Sequence, residues 1–233
     1  MNSYSLKKGF SGLRVIVTST IVGTAFLVAL SFLARDRPYY AGRTKALANA
    51  KSVVGGLLSF KSDYGNYPCH ETRARLEQDG IDHLPSGTSA NAYLAQLVAT
   101  DHIDTEKAFF APDVAGAVEG DRIKGSPDRL LSPGENSFAY VMALDGKPLT
   151  DIRTNTPLIL TPVIRNEETE PTFDPQPYYG TYVCGLFDGS SIVGEIDENG
   201  HAISTGRGSF FQTGPDSLFG KDTPILKYPL GLE

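Results

Sequence analysis

A run of 20 uncharged, mostly apolar residues at positions 15–34 limits the possible architectures of this chain more than any other feature. At about 1.5 Å per residue, a helix of this length spans the roughly 30 Å hydrocarbon core of a bilayer. A cleaved secretory signal is the alternative, but its apolar region has about 7–15 residues and ends in a small-x-small site. This run instead continues into Arg35-Asp36-Arg37-Pro38, so we predict a retained membrane helix.

The charges on either side of the apolar run predict its orientation. Lys7-Lys8 and Arg14 precede it, whereas the two arginines that follow it are partly offset by Asp36. Basic flanks stay in the cytoplasm. We therefore expect a single-pass, N-in/C-out protein with residues 36–233 outside the cytoplasm.

The residues before the apolar run form a recognisable pattern, in which basic residues are followed by Gly9-Phe10 and a long apolar helix. The pattern resembles the class III signal of type IV pilins and of type II secretion pseudopilins. The resemblance implies that a prepilin peptidase cuts after Gly9 and methylates the amine of Phe10, and that the helix becomes the core of a filament. Gly23 also matches a glycine of the family.

Arg14 departs from that family, which carries a Glu at this position. The carboxylate is thought to meet the N-terminal amine of a neighbouring subunit, and such an ion pair matters most at low dielectric. Arg14 cannot form this pair. The departure puts methylation and ordinary self-assembly in question, and it suggests a minor, initiating or divergent subunit.

The segment after the anchor has the pattern of an amphipathic helix. Its apolar stripe recurs at steps of three and four, with a weak point expected at Gly55-Gly56 and a kink or break at Pro38. The stripe consists of Ala46, Leu47, Ala50, Val53, Val54, Leu57, Leu58, Phe60 and Tyr64. The Tyr64-Gly65-Asn66-Tyr67-Pro68 string should end this helix, and a helix with this ending is similar to the long helix of major pseudopilins.

The rest of the chain predicts two short helices and then strands. The helices are expected at 72–79 and 90–99, the second capped by Ser89. Strand-like runs occupy 137–144, 157–163, 178–187, 191–196 and 201–204, and a long loop is expected between positions 112 and 134. The predicted fold is α+β and pilin-like. In it a long N-terminal helix, membrane-spanning in its first half and amphipathic in its second, packs on a C-terminal antiparallel β-sheet.

The two cysteines, Cys69 and Cys184, lie far apart in a chain that we expect to face an oxidising compartment. A single disulfide is the simplest explanation. The alternative is a nucleophilic Cys69-His70 pair. That pair is disfavoured because adjacent residues do not generally face each other in catalytic geometry.

A metal site is indicated only near the C-terminus. The segment 214–223 is similar to the calcium loop of major pseudopilins, and the resemblance implies Asp216 and Asp222 as ligands, since calcium prefers hard oxygen donors. Thr223 occupies the family's second acidic position and Lys221 adds a cation, so a plain solvated loop is the competing interpretation. Calcium is the one cofactor considered.

Composition and motifs exclude other classes of function. A net charge of −6 and a pI near 5.3 argue against a nucleic-acid partner. The sequence has no G-x-S-x-G, H-E-x-x-H, Walker or C-x-x-C motif, and its histidines (His70, His83, His102 and His201) lack ligand spacing. We therefore do not expect an enzyme.

Together these patterns predict a subunit of a type IV pilus-like or type II secretion pseudopilus filament in the bacterial inner membrane. Positions 1–9 form a prepilin-type leader, 10–35 the transmembrane and filament-core helix, and 36–233 a periplasmic head. The expected partners are other pilin-like subunits, a prepilin peptidase, the inner-membrane assembly platform and the membrane. The alternative is a membrane-tethered periplasmic binding domain that never polymerises.

Overall fold

The computed structural model describes residues 37–121, 130–150, 153–165, 170–203, 211, 214 and 217–232. Within these residues the chain forms three α-helices, two short 3-10 helices and seven strands. Residues Gly42–Glu233 make up one unit and Met1–Ala41 another. The described part is an α+β fold with an antiparallel sheet, which confirms the predicted class at this level.

The helices are α1 (Arg37–Tyr64), α2 (His70–Gln78) and α3 (Ala90–Ala99), and the 3-10 helices are Glu106–Phe109 and Leu144–Gly146. Their ends follow local chemistry. Gly65 follows α1 with φ +81° and donates its N–H to the carbonyl of Lys61, as a left-handed C-cap residue does. The Ser89 hydroxyl accepts a hydrogen bond from the amide of Ala92 at 3.3 Å and so caps α3. These predicted helix boundaries are confirmed to within two residues.

The main sheet has five antiparallel strands in the order β6-β5-β2-β1-β7, and β3 and β4 form a separate two-stranded pair. In β2–β5, Leu160 lies opposite Cys184, and in β1–β7, Tyr140 lies opposite Lys227. The strands are β1 (Ala139–Ala143), β2 (Pro157–Thr161), β3 (Val163–Ile164), β4 (Thr172–Phe173), β5 (Thr181–Leu186), β6 (Ser191–Glu195) and β7 (Pro224–Lys227).

Four of the five predicted strand runs contain a strand of the main sheet, and the fifth differs. In the described part of the run at 201–204, which ends at position 203, the structure has a bridge between Ile196 and Ala202 in place of a strand. The run at 157–163 is divided at Pro162, which has no N–H to donate to a ladder. Both β4 and β7 escaped prediction because β4 has only two residues and β7 begins at a proline.

The apolar stripe of α1 forms a large part of the core. Ala46, Ala50, Val53, Val54, Leu57 and Phe60 are completely buried, and Leu47, Leu58 and Tyr64 are partly buried. Val54 lies against Gly185 of β5, and the Ser191 hydroxyl at the start of β6 donates to the carbonyl of Leu47 at 3.1 Å. The apolar stripe of α1 therefore packs on the β5–β6 side of the sheet. This packing removes the apolar face of the helix from water, as an amphipathic helix requires.

The Gly55-Gly56 pair does not interrupt α1, which continues as a helix to Tyr64. Gly55 is exposed, whereas a β-carbon at Gly56 would lie 2.6 Å from Cγ1 of Ile103. Gly56 thus permits close packing of the 102–103 segment on the helix. Any kink at Pro38 depends on residues before Arg37, which lie outside the described part of the chain.

Helix α3 is buried along almost its whole length and joins the sheet to the C-terminal segment. The Asn91 side chain donates to the carbonyl of Leu131 at 2.7 Å and accepts from the amide of Leu230 at 2.9 Å. Such a buried amide is stable because its donors and its acceptor are both satisfied. This side chain holds three distant segments together.

Candidate functional site

The Tyr64-Gly65-Asn66-Tyr67-Pro68 string joins the end of α1 to the sheet. Tyr64 stacks on Phe60 with ring centroids 4.5 Å apart, and Tyr67 is 1% exposed. The Pro68 carbonyl accepts a hydrogen bond from the Tyr140 hydroxyl of β1 at 3.0 Å. Tyr64, Tyr67 and Pro68 therefore connect the end of α1 to the core and to β1.

Lys61 occupies an unusual position at this junction. Its ammonium lies 4.6 Å from the ring centroid of Tyr67 and 4.9 Å from that of Phe187, which is cation–π geometry. Burial lowers the pKa of Lys61 and raises the pKa of Tyr67. The contact of Lys61 with Phe187 links the last turn of α1 to the turn between β5 and β6.

The predicted processing residues, Gly9 and Phe10, lie outside the described part of the chain, as does the apolar run at 15–34. Among the helices that the structure describes, none combines the length and apolar character that a membrane crossing requires. The processing site and the anchor therefore remain predictions.

The structure does not contain the predicted disulfide, because Cys69 and Cys184 are both buried free thiols. Cys69 is the N-cap residue of α2, where its amide donates to the Thr72 hydroxyl at 2.8 Å. Cys184 lies in β5 between β2 and β6, and burial raises the pKa of its thiol well above the usual range. Both cysteines belong to the same hydrophobic core. A raised pKa also disfavours the reactive thiolate form at Cys184.

The two residues proposed as calcium ligands are not seen together. Asp216 lies outside the described residues, and the carboxylate of Asp222 accepts hydrogen bonds from Thr150, at 2.6 Å from the amide and 3.2 Å from the hydroxyl. Asp222 therefore tethers the C-terminal segment to the loop after β1. A carboxylate is a hard oxygen donor of the kind that calcium prefers.

A second acidic group was not anticipated from the sequence. The carboxylates of Glu106, Asp121 and Glu135 have oxygens within 4.8 Å of one another, and both glutamates are buried. Protein donors already engage them, since the Leu131 amide donates to Glu106 at 3.0 Å and the Ser132 amide donates to Glu135 at 2.7 Å. No spacing in the sequence could reveal this cluster, because its members come from a 3-10 helix and two separate loop positions. These hydrogen bonds indicate that the two glutamates hold the 131–132 segment in place.

One chain of hydrogen bonds has the residue types of a catalytic relay. His102 joins the Thr100 hydroxyl at 2.7 Å through Nδ1 and the Asp63 carboxylate at 3.0 Å through Nε2. The Thr100 hydroxyl also donates to the Gln96 carbonyl at 2.7 Å, and Thr100 is the C-cap of α3. A hydroxyl committed to a helix end is poorly placed to attack a substrate. The relay therefore fastens α3 to the end of α1.

Searches of protein-family models, of curated proteins and of solved structures found no match to this chain.

Proposed function

We propose that this chain is a pilin-like structural subunit of a type IV pilus-like or type II secretion pseudopilus filament, processed by a prepilin peptidase. One observation carries the proposal, namely the order of two motifs. Gly9-Phe10 precedes a bilayer-length apolar run, and Tyr64-Gly65-Asn66-Tyr67-Pro68 closes an amphipathic helix. Two motifs in the family's order are far more specific than either alone.

The described helix supports this proposal through its two unlike faces. One face of α1 is completely buried on the head, whereas Lys45, Lys51, Ser52 and Ser59 on the other face are exposed. In a pilin-like architecture α1 continues into the apolar anchor as one long helix. That helix would be half embedded in the bilayer and half packed on the antiparallel sheet.

In this mechanism the apolar run stores the subunit in the inner membrane until assembly. After processing, it packs against copies of itself or related subunits, while the head decorates the fibre. Helix packing of this kind relies on van der Waals contact and small residues. The small residues available are Gly12, Gly23, Ala25, Ala29 and Ala34.

A second candidate is a membrane-tethered periplasmic binding domain that does not polymerise. Arg14 favours it, because an Arg cannot supply the carboxylate that the family uses between subunits. The two candidate functions predict different N-termini for the mature chain. Under the first, the mature chain begins at methylated Phe10, and under the second Met1 remains.

The deciding experiment expresses the full chain with a bacterial prepilin peptidase and determines the N-terminus by mass spectrometry. The expected product begins at methylated Phe10, and Gly9→Leu should block its formation. An intact N-terminus in the presence of active peptidase would contradict the proposal. As a second measurement, cysteines placed at Ala25 and Ala29 should crosslink between subunits, and purely monomeric protein would favour the tether.

A further inference from the structure

A groove of about 450 Å³ lies between the end of β7 and the loop that leads into α3. One wall is the Ser86-Gly87-Thr88-Ser89 loop, and the opposite side carries Arg165 and Lys227. Hydroxyl groups and two cations thus line the same space. This combination of donors is suited to an oxyanion.

Arg165 and Lys227 give the groove a positive charge, although the chain as a whole carries a net charge of −6. Among the residues that the structure describes, neither Arg165 nor Lys227 forms a salt bridge. The next acidic residues in the sequence, Glu167-Glu168, lie outside that described set. Arg165 and Lys227 are thus the charged side chains among the described residues that line the groove.

The hydroxyl-bearing loop is held in place from behind. The guanidinium of Arg73 donates to the carbonyls of Leu84 at 3.3 Å and Gly87 at 3.4 Å, while its Nε lies 3.0 Å from the Glu77 carboxylate. Its side chain is only 15% exposed. A loop fixed in this way loses little conformational entropy when a ligand binds.

The segment after β7, which also lines the groove, is fixed to the start of α3. The Ala90 amide donates to the Tyr228 carbonyl at 3.0 Å, and the Leu230 amide donates to Asn91 at 2.9 Å. The Tyr228 carbonyl and the Ser89 hydroxyl already accept hydrogen bonds from amides in the first turn of α3. The groups of the groove proposed to bind a ligand are therefore the other polar side chains. Arg165 and Lys227 are the groups that give it charge.

A smaller and more apolar cavity of about 190 Å³ adjoins the groove, and Arg165 and Tyr228 line both. Its walls include Val163, Ile164 and Leu232. Asp174 also lines it, and its carboxylate accepts a hydrogen bond from the Gln176 amide at 2.9 Å. A ligand that filled both spaces would place its charge beside Arg165 and an apolar group beyond it.

We propose that this composite groove binds an organic oxyanion, a carboxylate or phosphate that bears a small apolar group. Arg165 supplies a planar fork of donors, Lys227 a second positive charge, and Ser86 and Thr88 neutral donors. Ligand pockets of this size combine an apolar lining with a few polar groups that fix orientation. The proposal holds for either of the two candidate functions, because it concerns only the head.

The test measures binding of phenyl phosphate and benzoate to the full chain in a non-ionic detergent by calorimetry. We expect phenyl phosphate to bind more tightly than inorganic phosphate, and phenol not to bind. Arg165→Gln and Lys227→Gln should each weaken binding by about tenfold, the loss that accompanies one charge-assisted hydrogen bond. Asp174→Asn should strengthen binding, since it removes a nearby negative charge.

Lys51→Gln is the matched control, because Lys51 is an exposed lysine on α1 that does not line either cavity. An equal loss in this variant would show that net charge alone determines binding and would overturn the proposal. Unchanged binding in Arg165→Gln would overturn it as well. N-terminal processing is a separate readout, so failure here and failure of the filament proposal are distinguishable.

Discussion

Val54 of α1 lies directly on the backbone of Gly185 in β5, and a β-carbon at position 185 would collide with the Cγ2 methyl of Val54. The same β-carbon would lie 2.8 Å from Cγ1 of Ile159 in β2. The helix can approach the sheet this closely because the facing strand has no side chain at that point. This contact positions α1 on the head.

The first prediction follows from that contact. Gly185→Ala should lower the free energy of unfolding by about 1–3 kcal/mol, because overpacking a dense core forces side chains and backbone to move. Urea unfolding of the full chain in detergent measures the change. The double variant Gly185→Ala, Val54→Ala should recover part of the loss, and strictly additive effects would show that the two residues do not interact.

The second prediction compares two adjacent glycines of α1. Gly55→Ala should stabilise the protein by up to about 1 kcal/mol, since Ala has the higher helix propensity and no atom lies within 4 Å of the added carbon. Gly56→Ala should destabilise it, because the new carbon would lie 2.6 Å from Ile103. The difference in urea midpoint between the two variants is the measurement. Equal effects would contradict the packing described for Gly56.

The third prediction concerns alkaline pH. Burial raises the pKa of the Cys184 thiol above 9.0 and that of the Tyr140 hydroxyl above 10.0. Both groups therefore keep their protons in the folded state when the unfolded chain has lost them. The contribution of Cys184 to stability is complete below about pH 9 and that of Tyr140 below about pH 10, and above those values each falls by about 1.4 kcal/mol per pH unit.

Unfolding free energies measured from pH 8 to pH 11 test this prediction. Cys184→Ala should reduce the slope between pH 9 and 10, and a thiol reagent should modify Cys184 only when the protein unfolds. Rapid modification of Cys184 in the folded chain would contradict its burial.

The fourth prediction concerns the buried carboxylate of Glu106. Glu106→Ala would leave the Leu131 amide without this acceptor, and an unsatisfied buried group costs about 1–3 kcal/mol. Asp82→Ala is the control, since the Asp82 side chain is 95% exposed and its removal should change stability by less than about 0.5 kcal/mol. Chemical denaturation of both variants gives the comparison, and similar values for the two would refute the anchoring role.

The fifth prediction tests calcium at the C-terminal segment. If the resemblance to the pseudopilin loop holds, calcium at a hundred times its dissociation constant should stabilise the protein by about 2.7 kcal/mol. The effect should disappear in Asp216→Asn and Asp222→Asn. Asp222→Asn retains an oxygen that can accept from Thr150, so this variant separates metal binding from the tether. A melting temperature unchanged by calcium would contradict the proposed calcium site.

Much of the fold was predictable because its signals are local. The end of α1 depends on Gly65 and the start of α3 on the Ser89 cap, and each of these acts within its own turn of chain. The apolar stripe of α1 was likewise visible, since helical periodicity alone selects the residues that must be buried.

The cysteines and acidic residues show where local signals fail. A disulfide between Cys69 and Cys184 was predicted because the chain has two cysteines and is expected to face an oxidising compartment. Both are free thiols in the structure, where Cys69 caps α2 and Cys184 lies in β5, and these positions depend on the tertiary fold. Glu106 and Glu135 gave no signal, because the 3-10 helix that begins at Glu106 and the loop that carries Glu135 come together only on folding. The short strand β7 was missed because its pairing with β1 joins residues more than 80 positions apart, such as Tyr140 and Lys227.

The amino-acid sequence by itself determined the apolar run, the Gly9-Phe10 pattern, the helix ends and the positions of most strands of the main sheet. These features depend on side chains within one or two turns of each other. Only the tertiary structure decided that Gly185 faces Val54, that Asp222 binds Thr150, and that Arg165 and Lys227 share a groove with the Ser86-Gly87-Thr88-Ser89 loop. Contacts of this kind form between segments brought together by folding, so no single stretch of sequence encodes them.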